Sequence, residues 1–332
     1  MHPRWLLLII LSLGCSAEPP GDPVPDPPTD PPTEEPTPEE VPWPDTLSET
    51  GLFADFATET LAEGVIPYAV AWPLWSDGAA KERFLWLAEG TVIDTSDPNL
   101  WDYPVGTKAW KHFARDGMRI ETRFLERAAD SWVRIAYQWR DDGSDADAVP
   151  DGVLDANGTL HDIPSTYQCA TCHISEGLLG VGAIQLGADS PTATLNELWT
   201  GGFLSDPIEG STAVPGEGAT RQTLGYLHGN CGGCHVEHYN LSDQYPLRLR
   251  LLVGTEAPED SQLYLTAVDT PTVHTKTTTI AVVPGEPDAS QLYERMGVRS
   301  LLQMPPLGTE VVDNEAHGAV HDWIMSLPLT GR

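Results

Sequence analysis

The stretch "QTLGYLHGNCGGCH" (Gln222–His235) ends in two cysteines that lie three positions apart, with a histidine directly after the second. Leu224 and Leu227 are one helical turn apart, which indicates a helix before the cysteines. The glycines that follow break a helix and allow a bulky group to approach the backbone closely. We therefore predict a helix that ends at a Cys-x-x-Cys-His motif, in which two thiols and an imidazole stand together.

A second stretch, "QCATCH" (Gln168–His173), repeats the same spacing about 60 residues earlier. The chain has five cysteines, and only Cys15 lies outside the two motifs. The motif residues are Cys169, Cys172, His173, Cys231, Cys234 and His235. The chemistry of the protein should therefore explain why each pair of cysteines is followed by a histidine.

Three kinds of site use paired cysteines. A disulfide framework gives no reason for the histidines, and a folded body of this size does not need such stapling. A zinc site would use four thiolates, or two thiolates and two imidazoles, but zinc knuckles usually lie closer together in sequence. In c-type haem attachment, two thiols at this spacing add to the two vinyl groups of one haem, and the next histidine binds the iron. The motifs thus favour two covalently attached haem c groups, with His173 and His235 as iron ligands, over the disulfide and zinc alternatives.

The N-terminus, "MHPRWLLLIILSLGCSAEPP", has the layout of a secretory signal peptide, since Arg4 precedes an apolar run too short to span a bilayer. Residues 1–15 are predicted to be this signal peptide, and its last residue, Cys15, stands where a bacterial lipobox carries lipid. Residues 16–45 are rich in Pro, acids and Thr, which is typical of a disordered tether. We therefore expect an exported protein of the periplasm or cell envelope, anchored to the membrane as a lipoprotein.

The remaining chain of about 290 residues is long enough for two domains, and no later run is long enough to cross a membrane. The formal net charge of −31 argues against nucleic acid as a partner. The sequence has no constellation of the Ser-His-Asp, phosphate-loop or metal-hydrolase type. Composition therefore leaves redox chemistry at the two motifs as the most specific signal in the chain.

Three segments divide the folded part of the chain. Residues 46–168 are predicted to form a β-rich domain, residues 169–215 the first haem-attachment segment with its connection, and residues 216–332 a mainly α-helical domain. In the β-rich domain, "MRIETRFLER", "SWVRIAYQWR", "RFLWLA" and "KAWKHFA" indicate strands, and "DDGSD" indicates a turn. One face of the second strand holds Val133, Ile135, Tyr137 and Trp139. The predicted fold class is therefore α+β, with an antiparallel sheet or sandwich before the helices.

The C-terminal domain contains a methionine in an unusual setting. Asp313 is a good N-cap, and the helix after it, "NEAHGAVHDWIMSL", places its apolar residues on one face. The preceding segment "LLQMPPLGTEVVD" holds Met304 in a Pro-Pro-Gly loop that lacks a regular apolar face. Such a loop is typical of a thioether iron ligand, so Met304 is predicted to bind the second iron opposite its histidine. Met296 and Met325 lie on predicted helices and are expected to pack in the core.

Several longer stretches carry a family resemblance. "YLHGNCGGCH", "AVVPGEPDASQLYERM", "MPPLGTEVVDNEA" and "HDWIMSLP" resemble the C-terminal haem module of bacterial envelope c-type cytochromes. "AWPLWSDGAAKERFLWL", "YPVGTKAWKHF", "IETRFLER" and "YQWRDDGSDA" resemble the upstream region of the same largely uncharacterised group of di-haem proteins. The resemblance covers roughly residues 47–327. It implies haem binding, a redox function and a C-terminal cytochrome c-like domain.

The opposite side of the first haem is less defined by the sequence. A β-domain that ends in a Cys-x-x-Cys-His motif is also similar to the plan of the cytochrome P460 family, whose haem has an open, catalytic distal side. This similarity makes Lys108 and Lys111 candidates for the lysine cross-link of that family. No methionine lies between the two motif histidines. The candidate ligands opposite His173 are therefore Met118, His112, His161 and His228, with a vacant sixth site as the alternative.

These features predict an exported di-haem c-type cytochrome that transfers single electrons between redox partner proteins of the cell envelope. The alternative is a haem redox enzyme, peroxidase-like or cytochrome P460-like, in which the first haem has an open site and the second relays electrons. A redox-inert scaffold with metal knuckles is a third hypothesis.

Overall fold

The structure is a computed structural model of the chain, and it describes residues 43–173, 177–192, 194–237, 246–272 and 279–329. The predicted signal peptide, the predicted lipid site Cys15 and most of the predicted tether lie outside these residues. In the described part of the chain, no helix combines the length and the apolar character that a membrane span requires.

The secondary structure is mixed, with strands first and helices after them. The strands are β1 (Phe53–Asp55), β2 (Thr60–Leu61), β3 (Ile66–Tyr68), β4 (Ala80–Trp86), β5 (Lys108–Arg115), β6 (Met118–Arg127), β7 (Trp132–Trp139) and β8 (Ala146–Ala148). The α-helices are α1 (Thr166–Cys172), α2 (Ala183–Leu186), α3 (Thr194–Thr200), α4 (Gly218–Asn230), α5 (Gln262–Ala267), α6 (Gln291–Met296) and α7 (Asn314–Ser326). Short 3₁₀ helices span Leu47–Thr50, Ala156–Gly158, Pro258–Asp260 and Pro287–Ala289. The predicted α+β class is therefore confirmed.

Strands β3 to β8 form one antiparallel sheet of six strands, in which each strand pairs with the next along the chain. The four predicted strands coincide with β4, β5, β6 and β7, and the predicted turn connects β7 to β8, so these predictions are confirmed. Because successive side chains point to opposite sides of a strand, the sheet has two faces of different character. We call the face that carries Phe84, Trp110 and Phe124 the outer face, and the face that carries Arg83, Lys111 and Arg123 the inner face.

The outer face is covered by the N-terminal segment of the described chain. Its core contains Leu47, Leu52, Phe84, Trp110, Phe124, Ile135, Tyr137, Trp139 and Ala146. The polar ends of the aromatic rings are satisfied, since Trp110 Nε1 donates to Thr50 Oγ1 at 2.9 Å and Tyr137 Oη donates to the Pro44 carbonyl at 2.9 Å. Each such buried aromatic side chain contributes about 1.5–3 kcal/mol to folding, so this face anchors the sheet.

The inner face is only partly apolar. Leu85, Ala109 and Leu125 occupy neighbouring register positions and pack into a core formed with segments that follow the first motif. The members of that core from these later segments are Leu178, Val181, Ala183, Leu186, Leu198 and Leu204. Arg83, Lys111 and Arg123 lie beside these apolar residues on the same face, so the inner face has a basic part and an apolar part.

Helices α4 and α7 pack against each other and form the centre of the C-terminal core. Leu224 and Leu227 of α4 meet Val320, Trp323 and Ile324 of α7, and all five side chains are buried. The predicted N-cap is confirmed, because the carboxylate of Asp313 accepts a hydrogen bond from the Ala316 amide at 3.0 Å. Both predicted helices and the apolar face of α7 are thus confirmed.

The two methionines that were expected to pack have different environments. Met296, at the end of α6, is buried in the C-terminal core as predicted. Met325, on α7, is 54% exposed, so its predicted packing is wrong. It lies one position after Ile324, on the side of the helix that faces away from the core.

A short segment between β3 and β4, which we call the strap (Trp72–Asp77, "WPLWSD"), contacts the helices. The Trp75 amide donates to Asn230 Oδ1 at 2.6 Å, and the Trp72 amide donates to Gln185 Oε1 at 3.0 Å. At Gly225 of α4, a Cβ atom would lie 2.2 Å from the Trp72 ring, so only glycine allows this contact. The strap therefore holds the sheet and the helices in one compact unit.

Candidate functional site

Both Cys-x-x-Cys-His motifs line the same cavity, which lies between the inner face of the sheet and the helices. The first motif is the C-terminal part of α1 and the residue after it, and the second follows the end of α4. The predicted site residues on its wall are Cys169, Cys172, His173, Cys231, Cys234, His235 and Met304. The fold thus brings together all seven residues that the sequence predicted to hold haem.

Local hydrogen bonds hold the first motif in place. Helix α1 begins at a capping box, in which the Gln168 amide donates to Ser165 Oγ at 3.3 Å and the Ser165 amide donates to Gln168 Oε1 at 2.9 Å. At the other end, Arg134 of β7 donates from its guanidinium to the His173 carbonyl at 2.9 Å. These hydrogen bonds fix the position of the first motif relative to β7.

The second motif depends on its glycines. The Cys231 amide donates to the Leu227 carbonyl at 2.9 Å, so the motif continues from α4 through one more turn of chain. A Cβ atom at Gly232 would lie 2.6 Å from the His228 carbonyl oxygen, and one at Gly233 would lie 2.9 Å from a Leu179 methyl group. A side chain at Gly232 would collide with the backbone, whereas one at Gly233 would require the Leu179 side chain to move. The close backbone contact explains the glycine at position 232.

The two motif histidines share one arrangement of hydrogen bonds. His173 Nδ1 lies 2.5 Å from the Gly177 carbonyl oxygen, and His235 Nδ1 lies 3.3 Å from the Leu247 carbonyl oxygen. Because a carbonyl only accepts, Nδ1 carries the proton in both rings and Nε2 keeps a free lone pair. This is the second-sphere contact that orients a metal-binding imidazole.

Burial keeps both rings neutral. It lowers the pKa of His173 to about 4, although the hydrogen bond to the carbonyl of Gly177 acts in the opposite direction. Burial also lowers the pKa of His235. Both imidazoles therefore offer an unprotonated Nε2 at neutral pH, as an iron ligand requires.

The four motif cysteines are free thiols. The side chains of Cys172 and Cys234 are hydrogen-bonded to each other, so the two motifs are immediate neighbours. This hydrogen bond lowers the pKa of Cys172 and raises that of Cys234, while burial raises the pKa of Cys231 to about 12. Among the described residues, no group of three or more His, Cys, Asp and Glu side chains is placed to hold a metal ion. A haem c site does not need such a group, since one histidine and one distal ligand suffice.

The loop that carries Met304 is held in place by a residue that is distant in sequence. The carboxylate of Asp77, at the end of the strap, accepts hydrogen bonds from the Val311 amide at 2.8 Å, the Glu310 amide at 3.0 Å and Thr309 Oγ1 at 3.1 Å. Asp77 is only 7% exposed, so these bonds lie out of water. Sequence reasoning missed this residue, although it belongs to the "WSDG" stretch that carries part of the family resemblance.

The candidate ligands for the first iron are mostly placed elsewhere. Met118 is the first residue of β6 and is 45% exposed. His112 lies on the outer face, where Nδ1 is 2.5 Å from Thr122 Oγ1, and His161 Nε2 is 2.8 Å from a carboxylate oxygen of Glu121. None of these three lines the cavity.

His228 does line the cavity, but its hydrogen bond is the reverse of that in the motif histidines. The Leu251 amide donates to His228 Nδ1 at 3.1 Å, so the neutral ring carries its proton on Nε2. A protonated Nε2 cannot bind a metal ion. The two lysine candidates lie on opposite faces of the sheet. Lys111 lines the cavity, whereas Lys108 donates to the Thr50 carbonyl at 3.2 Å on the outer face.

No protein-family model, curated protein or solved structure matches this chain. The chemistry of the site is therefore inferred from its own residues. The cavity is lined by two pairs of free thiols, two oriented imidazoles and one thioether. This is the set of donors that the sequence predicted for c-type haem. The wall also contains buried polar atoms without a protein partner, at Trp72 Nε1, Trp101 Nε1 and one guanidinium nitrogen of Arg83. These residues fit a large, partly polar occupant.

Proposed function

We propose that the protein is an exported di-haem c-type cytochrome that passes single electrons between redox partners in the cell envelope. The observation that carries this proposal is the convergence of both Cys-x-x-Cys-His motifs on one cavity, each with its histidine Nδ1 bound to a backbone carbonyl. A structural disulfide gives no reason for that orientation of the rings. A zinc site would use the same orientation, but among the described residues no three or more His, Cys, Asp and Glu side chains are placed to hold a metal ion. The family resemblance of the sequence points in the same direction.

The residues of the chain have distinct tasks in this proposal. Cys169 and Cys172 hold the first haem, and the second Cys-x-x-Cys pair holds the second haem. His173 and His235 offer Nε2 from the proximal side, and Met304 offers its sulfur to the second iron. When bound, haem c supplies an iron centre that takes up and releases one electron. The helices around the second motif then correspond to the predicted cytochrome c-like domain.

The neighbouring thiols support direct transfer between the two haems. Cys172 and Cys234 are in hydrogen-bond contact, so the two attachment points lie side by side in one cavity. The surrounding wall is rich in aromatic and aliphatic side chains, which exclude water and lower the local dielectric constant. An electron therefore need not cross solvent between the two sites.

The location and the partners follow from the N-terminal prediction. Covalent attachment of haem c takes place outside the cytoplasm, which agrees with the predicted signal peptide. A lipid on Cys15 would hold the protein at a membrane of the envelope, and the tether would let the folded part reach its redox partner proteins. The net charge of −31 favours basic partners and disfavours nucleic acid.

A second candidate function is a haem redox enzyme, peroxidase-like or cytochrome P460-like. One observation favours it: among the described residues that line the cavity, only Met304 is a methionine, so the cavity offers one thioether for two irons. The first iron would then have an open site near Lys111, which also lines the cavity. In this alternative, the second haem relays electrons to the first.

The test is a pyridine haemochrome assay on the full chain, made in a host that matures cytochromes c, together with spectra of the oxidised and reduced protein. Two haems per chain, both low-spin, are expected of the electron carrier. Two haems of which one is high-spin and binds small ligands would favour the enzyme. A colourless protein would refute both functions and leave the metal-knuckle scaffold.

A further inference from the structure

Three basic residues form a row across the inner face of the sheet. Arg83 of β4 pairs in register with Lys111 of β5, which pairs in turn with Arg123 of β6. Residues at paired positions point to the same side of the sheet, so the three side chains are direct neighbours. All three line the cavity that holds the two motifs. We call Arg83, Lys111 and Arg123 the basic row.

The first two members of the row lack a direct salt-bridge partner among the described residues. Arg83 is 8% exposed, and its Nη2 atom has no hydrogen-bond partner. Lys111 Nζ lies 5.0 Å from the centre of the Phe113 ring, and no ion pair is formed by either side chain in the described part of the chain. Burial, followed by the charges of Arg83 and Arg123, lowers the pKa of Lys111. A buried guanidinium without a partner is costly, and an anion beside Lys111 would favour the charged form of its amine, so an anion should compensate the row.

The one nearby carboxylate is already engaged. Glu121 accepts hydrogen bonds from Arg123 Nε at 2.5 Å and from its Nη2 at 3.0 Å. His161 Nε2 lies 2.8 Å from the same carboxylate. Glu121 is completely buried and forms no hydrogen bond with Arg83 or Lys111, although its charge raises the pKa of Lys111. The row therefore keeps a net positive charge after this pair is formed.

The contrast with the rest of the protein is large. The chain has 49 acidic residues and 18 basic ones. Yet the described residues that line the cavity include four basic side chains, the row and Arg250, and no Asp or Glu. An acidic protein that keeps acids away from one buried wall has a wall suited to an anion from elsewhere.

We propose that the basic row binds a carboxylate or a small oxyanion inside the cavity. The planar fork of Arg83 matches the two oxygens of such a group, and Lys111 adds a point charge beside it. The ligand has two sources with the same chemistry: a propionate of a bound haem, or a free oxyanion that enters the cavity. The first source rests on the proposed function, and the second does not.

The experiment uses the full, matured protein and the single variants Arg83→Met and Lys111→Met. Lys108→Met is the matched control, because it removes the same charge from the same strand but from the opposite face. Arg123 is left in place, since its removal would leave Glu121 buried without its partner. Resonance Raman spectra report the propionate bending modes of the haems, and calorimetric titration with acetate and with sulfate reports binding of free anions.

A shift of a propionate mode in both row variants, and none in Lys108→Met, identifies a haem propionate as the ligand. Unchanged modes, with an anion affinity that falls at least tenfold in the row variants, identify a free oxyanion instead. Unchanged modes with no anion binding to the wild-type protein overturn the proposal.

Melting temperatures give an independent reading of the same question. Removal of a cation that holds an anion lowers the melting temperature, whereas removal of an uncompensated buried cation raises it. In the presence of saturating acetate or sulfate, a rise in both row variants therefore also overturns the proposal. If a Met variant is not recovered, Arg83→Lys keeps the charge and loses the fork, and a smaller Raman or affinity change is then expected. A colourless protein would refute the proposed function, and the calorimetric titration would still test the row.

Discussion

The two Cys-x-x-Cys-His motifs have the same pattern in sequence and very different surroundings. The second ends a helix of 13 residues, contacts its neighbours through glycine backbone and shares its wall with the Met304 loop. The first ends a helix of seven residues that lies on a sheet, and basic side chains approach it. In the proposed function, the motif would therefore specify attachment and the proximal ligand, while the surroundings would specify what can happen on the other side of the iron.

The difference also concerns charge. Arg134 and Lys111 both act electrostatically on His173 and lower its pKa further after burial has done so. Positive charge near an iron favours its reduced form, because the oxidised form carries one more positive charge. If both sites hold haem, we expect different reduction potentials that reflect both the axial ligands and this charge.

The largest expected effect comes from removal of one attachment pair at a time. Cys169→Ser with Cys172→Ser, and separately Cys231→Ser with Cys234→Ser, should each lower the haem content from about two to about one per chain. The pyridine haemochrome assay measures this ratio. A variant that keeps both haems, or loses both, would show that the two motifs are not independent attachment sites.

Met304→Ala tests the feature that distinguishes the second motif. The haem should stay attached, but the loss of the thioether should free a coordination site and lower the reduction potential of one haem. Optical spectra and a redox titration measure both changes. Met325→Ala is the control, since this methionine is more than half exposed on α7 and should leave the spectrum unchanged. An unaltered spectrum in Met304→Ala would remove Met304 from the site.

Asp77→Asn tests whether the strap positions the Met304 loop. The amide keeps the volume, and asparagine tolerates the left-handed backbone at this position, where φ is 53°. However, a neutral side chain accepts more weakly from the amides of Glu310 and Val311, so we expect a loss of about 1–3 kcal/mol in stability. The second haem should also show a mixture of ligation states.

Denaturant unfolding and the spectrum of the oxidised protein measure these two effects. Asp116→Asn is the control, because Asp116 is exposed and has a similar backbone, with φ of 50°. Asp77→Glu should restore part of the ligation if the carboxylate is what matters. A destabilised protein with a fully normal spectrum would make Asp77 a folding residue only.

The smallest effect concerns His112, a candidate ligand that lies on the outer face. Burial lowers its pKa to about 3, followed by the charge of Arg119, so the folded protein keeps the ring neutral. The unfolded chain takes up this proton below about pH 6.5, so stability is complete above that pH and falls as the pH drops toward 3. The slope from one such group is at most about 1.4 kcal/mol per pH unit.

His112→Phe should remove this part of the pH dependence, and the ring would join the aromatic side chains of Phe53, Phe84 and Trp139. Unfolding free energies at pH 7 and pH 5 should then differ by about 1–2 kcal/mol less than in the wild type. The spectrum of the first haem should not change. A changed spectrum would return His112 to the set of iron ligands.

Much of the fold was predictable because local patterns agreed with the final packing. The alternation in β6 and β7 and the apolar face of α7 survive unchanged in the structure, since each buries one side. Met325 was misplaced because a helical pattern gives the face of a residue only approximately. Asp77 was missed because its hydrogen-bond partners lie far away in sequence, and Arg83 because its neighbours in the basic row lie on other strands. A single charged residue has no periodic signal.

The sequence by itself determined the donor groups on which the proposed haem attachment rests: two thiols and one imidazole at fixed spacing, twice, with a thioether in a proline loop. It also determined the strands and helices, because periods of two and of 3.6 residues decide which face can be buried. Only the tertiary structure decided that both motifs meet in one cavity, that the carboxylate of Asp77 fixes the Met304 loop, and that three cations face the same space. Some of these relations join residues more than 200 positions apart. They depend on strand register and helix packing, which no local pattern specifies.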